Sequence, residues 1–121
     1  MDSGRFEELV VRAVESLPEE LQERLDNVDV IVADKPTPDQ MQKSDRNRGD
    51  ILLGLYEGVP LIHRHSGYGL VAPDKITIFQ KNIEAICHSD DQMVREIRRV
   101  VLHEIAHHFG IDDERLRELG M

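Results

Sequence analysis

Several residue types are scarce in this sequence, and each shortage narrows the class of protein it can be. The 121 residues include no tryptophan, only 4% aromatic residues and a single cysteine, Cys87. One cysteine excludes an internal disulfide bond and suits a reducing compartment. With so few aromatic rings, we expect a core of leucine, isoleucine and valine. No run approaches the roughly 18 apolar residues of a membrane-spanning helix, so we expect no membrane protein.

Positive charge is also in short supply. The 15 lysines and arginines stand against 24 acidic residues, which gives a formal net charge of −9 and a pI of about 5.0. Nucleic acids and anionic membranes would be repelled, so we expect neither as a partner. No cationic segment precedes an apolar run near the start, so we expect no signal peptide. We therefore expect a cytoplasmic monomer, folded as one domain over residues 1–121.

The first third of the sequence predicts two helices and a strand. Apolar residues recur at helical spacing over residues 3–16, which predicts an amphipathic helix. Ser16 is followed three positions later by Glu19, a capping-box pattern that predicts the start of a second short helix. Val28–Ala33 is rich in β-branched residues, which predicts a strand. We assign no chemistry to these helices.

The middle of the sequence predicts a loop, two strands and a turn-rich connection. Residues 35–50 are polar and charged, and we interpret them as a long exposed loop. Residues 51–56 and residues 75–80 predict strands. In the first of these strands Gly54 indicates a bulge or the close approach of another backbone. His63 and His65 lie in the connection, where they could approach a metal, although a solvated loop is the simpler interpretation.

A long helix near the end of the sequence carries the residues most suggestive of chemistry. Ser89 and Gln92 predict a capped start, and the helix is expected to run over Asp90–Phe109. His103 and His107 are four residues apart, so they lie on one face of the helix, about 40° from each other. The apolar stripe is expected on the opposite side, formed by Val94, Ile97, Val101, Ile105 and Phe109. His108 lies nearer to that stripe, so we expect a packed or rim residue there.

Together with Glu104, the two histidines form the pattern HExxH. In this pattern the two imidazoles bind zinc, and the glutamate accepts a proton from water as a general base. Two neutral imidazoles with one carboxylate leave a fourth position for water, which is the arrangement of a catalytic zinc site. We therefore predict one zinc ion per chain, with Glu104 as the base. The alternative is a solvated helix face with ordinary histidines.

The pattern extends to HExxHxxGxxD through Gly110, which can end the helix in the left-handed conformation, and Asp113. This spacing resembles that of the zincin metallopeptidases, in which a third ligand follows the glycine by three residues. The resemblance implies Asp113 as the third zinc ligand, where most metzincins have histidine. Asp112 and Asp113 could instead be the N-cap and first-turn acids of a last helix. Asp112 remains the alternative ligand.

The resemblance extends beyond the motif. The segments ILLGLYEGVPL, PDKITIF and VLHEIAHHFGIDDERLREL, within residues 51–120, look like the small bacterial zincin-like metallopeptidases, or minimal zincins. That family implies a compact α+β zincin-like domain, and we expect a short three- to four-stranded sheet packed on N-terminal helices and the HExxH helix. It also implies a zinc metallopeptidase that hydrolyses peptide bonds.

The substrate expected from this resemblance is an extended peptide or a flexible protein. The strand at residues 51–56 could be the sheet edge that pairs with such a peptide. Tyr56 or Tyr68 could stabilise the oxyanion of the reaction, and Glu57 could mark the rim of the substrate cleft. An alternative function is a zinc-containing domain that binds a peptide or partner with little or no turnover. Hydrolysis of a non-peptide amide or ester would use the same residues.

Overall fold

The computed structural model describes residues 1–44, 51–58 and 73–118. Within these residues six helices and three strands follow one another along the chain. In order they are α1 (Ser3–Glu15), α2 (Glu19–Arg24), β1 (Val28–Ala33), α3 (Pro38–Lys43), β2 (Gly54–Glu57), β3 (Asp74–Phe79), α4 (Gln80–Ile86), α5 (Asp90–Phe109) and α6 (Asp113–Glu118). None of the helices in these ranges is long and apolar enough to span a membrane.

The three strands form a mixed sheet in the order β1-β3-β2. β1 runs parallel to β3, with Val30 opposite Ile76, and β2 runs antiparallel to β3, with Tyr56 opposite Ile76. One face of the sheet belongs to the main core, which also includes buried side chains of α1 and α5. A smaller cluster of Leu52, Leu55 and Phe79 forms a second core. This architecture confirms the predicted α+β fold, with a short sheet packed on an N-terminal helix and the HExxH helix.

The predicted N-terminal helix and first strand are present. Asp2 caps α1 by accepting a hydrogen bond from the Arg5 amide at 2.8 Å, and α1 ends one residue before the predicted boundary. Its apolar stripe is buried, as the helical spacing predicts, and includes Phe6, Leu9, Val10 and Ala13. β1 has the predicted bounds.

The capping box predicted at Ser16 is wrong. Ser16 has a right-handed helical backbone at the end of α1, with φ of −79° and ψ of −9°. Its hydroxyl therefore donates backwards, to the carbonyl oxygen of Ala13 at 2.6 Å. α2 begins instead after Pro18, whose extended backbone precedes the first helical residue.

Part of the loop predicted at residues 35–50 is helix α3. Thr37 and Gln40 form a reciprocal capping box, in which the Gln40 amide donates to Thr37 Oγ1 at 3.1 Å and the Thr37 amide donates to Gln40 Oε1 at 3.0 Å. Pro38 occupies the first turn, where its missing N–H costs no hydrogen bond. No side chain of α3 is buried, so the segment lacks the apolar spacing that would have predicted a helix. Residues 45–50 lie outside the described residues.

The boundaries of β2 and β3 also differ from the prediction. β2 begins at Gly54, three residues later than expected, and β3 ends at Phe79, because Gln80 opens α4. A Cβ atom added to Gly54 would lie 3.1 Å from the carbonyl oxygen of Thr77, which confirms the predicted close approach of a neighbouring backbone. His63, His65 and Tyr68 lie outside the described residues.

Candidate metal centre

Helix α5 has the predicted bounds and capped ends. The Ser89 hydroxyl accepts a hydrogen bond from the Gln92 amide at 3.1 Å, and Gln92 Oε1 accepts one from the His88 amide at 2.7 Å. At the other end Gly110 adopts the left-handed conformation, with φ of 69° and ψ of 30°. The HExxH residues therefore lie in the last two turns of a helix of 20 residues.

The buried surface of α5 is wider than the predicted stripe. Alongside the expected Ile97, Val101 and Ile105, the buried residues of this helix are Met93, Val100, Leu102 and Ala106. Phe109, expected in the stripe, is 38% exposed because it lies at the helix end. His103 and His107 are both exposed. They therefore project from the exposed side of a helix whose opposite side, including Val101 and Ile105, is buried.

Two imidazoles in this arrangement can reach one ion. Residues four apart on a helix have Cβ atoms about 5–6 Å from each other, and Zn–N bonds are about 2.0–2.1 Å long. Glu104 follows His103 directly, and its side chain is half-buried, so a carboxylate lies at the edge of the exposed strip. The nitrogen donors and their one-turn spacing therefore fit a zinc ion.

The turn after α5 brings the chain back towards the helix end. The amides of Gly110 and Ile111 both donate to the carbonyl oxygen of Ala106, and Ile111 packs against the core. The left-handed residue changes the chain direction. α6 begins three residues beyond Gly110. Asp113 is the first residue of α6, and its side chain lies outside the described residues.

Asp112 caps α6. Its Oδ1 accepts a hydrogen bond from the Arg115 amide at 2.8 Å, and its carbonyl oxygen accepts one from the Leu116 amide at 3.0 Å. Asp112 is therefore the N-cap residue that the sequence offered as an alternative to a metal ligand, and this cap leaves the role of Asp113 untested. Among the described side chains no three histidines, cysteines or carboxylates form a metal-binding group. The set of His103, His107 and Asp113, with Glu104 as the base, therefore stays a prediction.

An aromatic contact that the sequence did not reveal joins β2 to α5. The rings of Tyr56 and His108 are stacked, with centroids 3.9 Å apart and an interplanar angle of 17°, and Phe109 meets both rings edge-on. The Tyr56 hydroxyl donates to Asp74 Oδ2 at 2.7 Å. Tyr56 therefore joins the edge strand to the end of the motif helix, and this hydrogen bond favours a structural role over the predicted oxyanion role. His108 is exposed and its ring packs on Tyr56, in line with the expected packed or rim residue.

Glu57, predicted to mark the cleft rim, is joined to α3. Its carboxylate accepts hydrogen bonds from Gln40 Nε2 and Lys43 Nζ, both at 3.0 Å. Partial burial alone would raise its pKa, but the hydrogen bonds from Gln40 and Lys43 and the charges of Lys43 and Lys75 together lower the pKa of Glu57 below its usual value. These contacts hold α3 beside the last residue of β2.

Comparison with known proteins agrees with this architecture. A sequence-family model for zincin-like metallopeptidases matches residues 25–121. A conserved hypothetical protein from Thermus thermophilus has a similar structure, with a TM-score of 0.56 and 26% sequence identity, over 90% of this chain and 94% of that one. No curated protein matches the sequence. Because the family match spans most of the sequence, including all three strands and helix α5, the chain belongs to the zincin-like metallopeptidase family.

Proposed function

We propose that the chain is a zinc-dependent metallopeptidase in which His103, His107 and Asp113 hold one zinc ion and Glu104 is the general base. One observation carries this proposal: the two histidines are exposed one turn apart on the same side of α5, and Glu104 is half-buried beside them. A purely structural zinc site has no use for an uncoordinated glutamate in that position. Membership of the family supports the same class of activity.

The residues of the proposed site have separate roles in the reaction. When bound, zinc would polarise the substrate carbonyl and lower the pKa of water. His103 and His107 supply neutral nitrogen ligands from a rigid helix, and the turn at Gly110 returns the chain so that Asp113 can supply an oxygen ligand. The Glu104 carboxylate accepts a proton from the attacking water and passes it to the amine that leaves.

The substrate that suits this site is an extended peptide or a flexible segment of a protein. Within the described residues β2 pairs with β3 alone and forms one edge of the sheet. An extended peptide can add to such an edge through backbone hydrogen bonds. The stacking of Tyr56 on His108 places this edge beside the end of α5, which supports a peptide path along β2.

The decisive experiment compares the parent chain with Glu104→Gln and Glu104→Ala. We expect one zinc per chain by elemental analysis in all three proteins. Cleavage of a broad peptide library should fall by about 10²- to 10⁴-fold in both variants, because that is the usual contribution of a general base. Glu96→Gln is the matched control, since Glu96 lies on the same helix two turns earlier and contacts Arg99.

The outcomes separate the two candidate functions. If the parent holds stoichiometric zinc but cleaves nothing above the level of Glu104→Ala, the peptidase proposal is wrong, and a zinc-containing domain that binds a peptide or partner is the better account. If the parent holds no zinc, both candidates are wrong. Cleavage of amide or ester substrates in place of peptides would keep the residue roles and change the substrate class.

A further inference from the structure

Helix α6, which begins with the proposed ligand Asp113, has few anchors of its own. Among its described side chains only Leu116 is buried, with 5% of its surface exposed. A helix of six residues is too short to be stable in isolation, so contacts with the rest of the chain must hold it. The position of Asp113 therefore depends on those contacts.

One of these contacts is an ion pair between α6 and α2. Arg115 Nη2 donates to Glu20 Oε2, and Arg115 Nη1 donates to Glu118 Oε2 at 2.9 Å, so the guanidinium bridges a carboxylate on each helix. The hydrogen bond raises the pKa of Arg115 and lowers the pKa of Glu20. Glu20 is 95 residues away from Arg115 in the sequence, so the pair restrains α6 from a distant segment.

Helix α2 is well placed to act as an anchor. Leu21 is fully buried in the main core, and the Gln22 side chain donates to the carbonyl oxygen of Leu17 at 2.7 Å. At the end of α2 the guanidinium of Arg24 lies 5.2 Å from the centre of the Phe109 ring. α2 is thus fixed both to the core and to Phe109, the last residue of α5. Helix α5 also carries His103 and His107.

We propose that Glu20 and Arg115 are positioning residues, which hold α6 so that Asp113 meets the zinc position defined by His103 and His107. This inference rests on the proposed function. Arg115 lies two residues after Asp113 in the same short helix, so fixing the guanidinium restrains the backbone that carries the ligand. Glu20 precedes the matched residues 25–121, so the inference gives helix α2 a part in the metal centre.

The test is zinc affinity, measured by competition with a chelator. Glu20→Gln and Arg115→Gln should each weaken zinc binding by about two- to fivefold, the range that exposed ion pairs support. For Arg115→Gln the direction of the change in zinc affinity distinguishes positioning from a simple charge effect. Loss of a nearby positive charge would by itself tighten zinc binding, whereas loss of positioning weakens it.

The same substitutions are then repeated in an Asp113→Asn background. If the pair acts through Asp113, Glu20→Gln and Arg115→Gln should no longer weaken zinc binding there, because the ligand that they position is gone. Glu23→Gln is the matched control: it removes an equal charge from the exposed surface of α2 and should leave zinc affinity unchanged. Circular dichroism of the metal-free proteins checks that each variant folds.

Four results would overturn the inference. If Asp113→Asn weakens zinc binding but Glu20→Gln behaves like Glu23→Gln, the pair does not position the ligand, and the proposed function stands. Equal weakening by Glu20→Gln in both backgrounds would show a general effect on the fold. If Asp113→Asn leaves zinc affinity unchanged, or if the parent binds no zinc, the proposed ligand set is wrong and the positioning role falls with it.

Discussion

Gly54 of β2 lies so close to Val100 of α5 that no larger residue fits between them. A Cβ atom added to Gly54 would come within 2.5 Å of Val100 Cγ1, far inside van der Waals contact. Val100 is buried and precedes Glu104 by one helical turn. β2 and the Val100 side chain of α5 are therefore packed without room for a Cβ atom at Gly54, one helical turn before Glu104.

The first prediction concerns this contact. Gly54→Ala should lower the free energy of unfolding by about 1–3 kcal/mol, because overpacking a well-packed core forces side chains or backbone to shift. The loss is measured by urea denaturation followed by circular dichroism. Catalytic turnover should fall as well if substrate pairs with β2, since the strand must move away from α5.

Gly58→Ala is the matched control for this substitution. Among the described residues, a Cβ atom added to Gly58 would come nearest to Asp74, at 3.7 Å, which is ordinary contact. Its unfolding free energy should stay within about 0.5 kcal/mol of the parent value. Equal stability of the two alanine variants would contradict the close packing of Gly54 against Val100.

The second prediction concerns the hydroxyl of Tyr56. Tyr56→Phe keeps the ring that stacks on His108 but removes the hydrogen bond to Asp74. Hydrogen bonds to charged groups contribute about 1.5–3 kcal/mol, so the unfolding free energy should fall by an amount near the lower end of that range. Tyr56→Leu should cost more, because it also removes the stacking. If Tyr56→Phe retains stability but abolishes turnover, the hydroxyl has a catalytic role after all.

The third prediction separates the two motif histidines from the other described histidines. His103→Ala and His107→Ala should each weaken zinc binding by more than about 100-fold, since even changes outside the ligand set cost 10- to 100-fold. His88→Ala is the control, because His88 is exposed at the far end of α5, about 20 Å away along the helix. The zinc affinity of all three variants is measured by chelator competition. Equal zinc affinities would show that His103 and His107 do not bind the metal.

The fourth prediction is a pH dependence at Glu57. A carboxyl group whose pKa is lowered on folding stabilises the protein above its unfolded pKa, and this stabilisation is lost as the pH falls through the folded pKa. The pKa of Glu57 is below its usual value of 4.5. At neutral pH Glu57→Gln should therefore destabilise the protein by about 1 kcal/mol.

The difference between parent and Glu57→Gln should shrink as the pH falls below 4.5. Thermal denaturation at pH 7 and at pH 3.5 measures this change. Glu118→Gln serves for comparison, because Glu118 pairs with Arg115 at the exposed surface of α6. A Glu57→Gln effect of equal size at both pH values would contradict the lowered pKa.

Features set by nearby residues were predictable from the sequence. The bounds of α5, the left-handed Gly110 and the Asp112 cap follow from interactions within a few residues, and β1 was predicted to the residue. The spacing of the histidines likewise follows from helix geometry alone. These are the features on which the candidate metal centre is built.

Features set by distant residues were not predictable. Nothing near Tyr56 indicates that its ring stacks on His108, and nothing near Glu20 indicates a pair with Arg115, because both contacts depend on how elements pack. At Ser16 the local pattern was misleading, since the end of α1 had already fixed its backbone in the helical conformation. The sequence order of strands also could not reveal that β3 lies between β1 and β2.

The wide buried surface of α5 restricts how this helix can turn about its own axis. Rotation by one residue, about 100°, would drive Val100 or Leu102 into water and bring His103 into the core. The buried apolar side chains of α5 therefore fix the direction in which the imidazoles of His103 and His107 project, although they are not metal ligands. A one-residue insertion in α5 before the motif should disrupt the metal centre and the core together, whereas a volume-conserving exchange at Val101 should disturb neither.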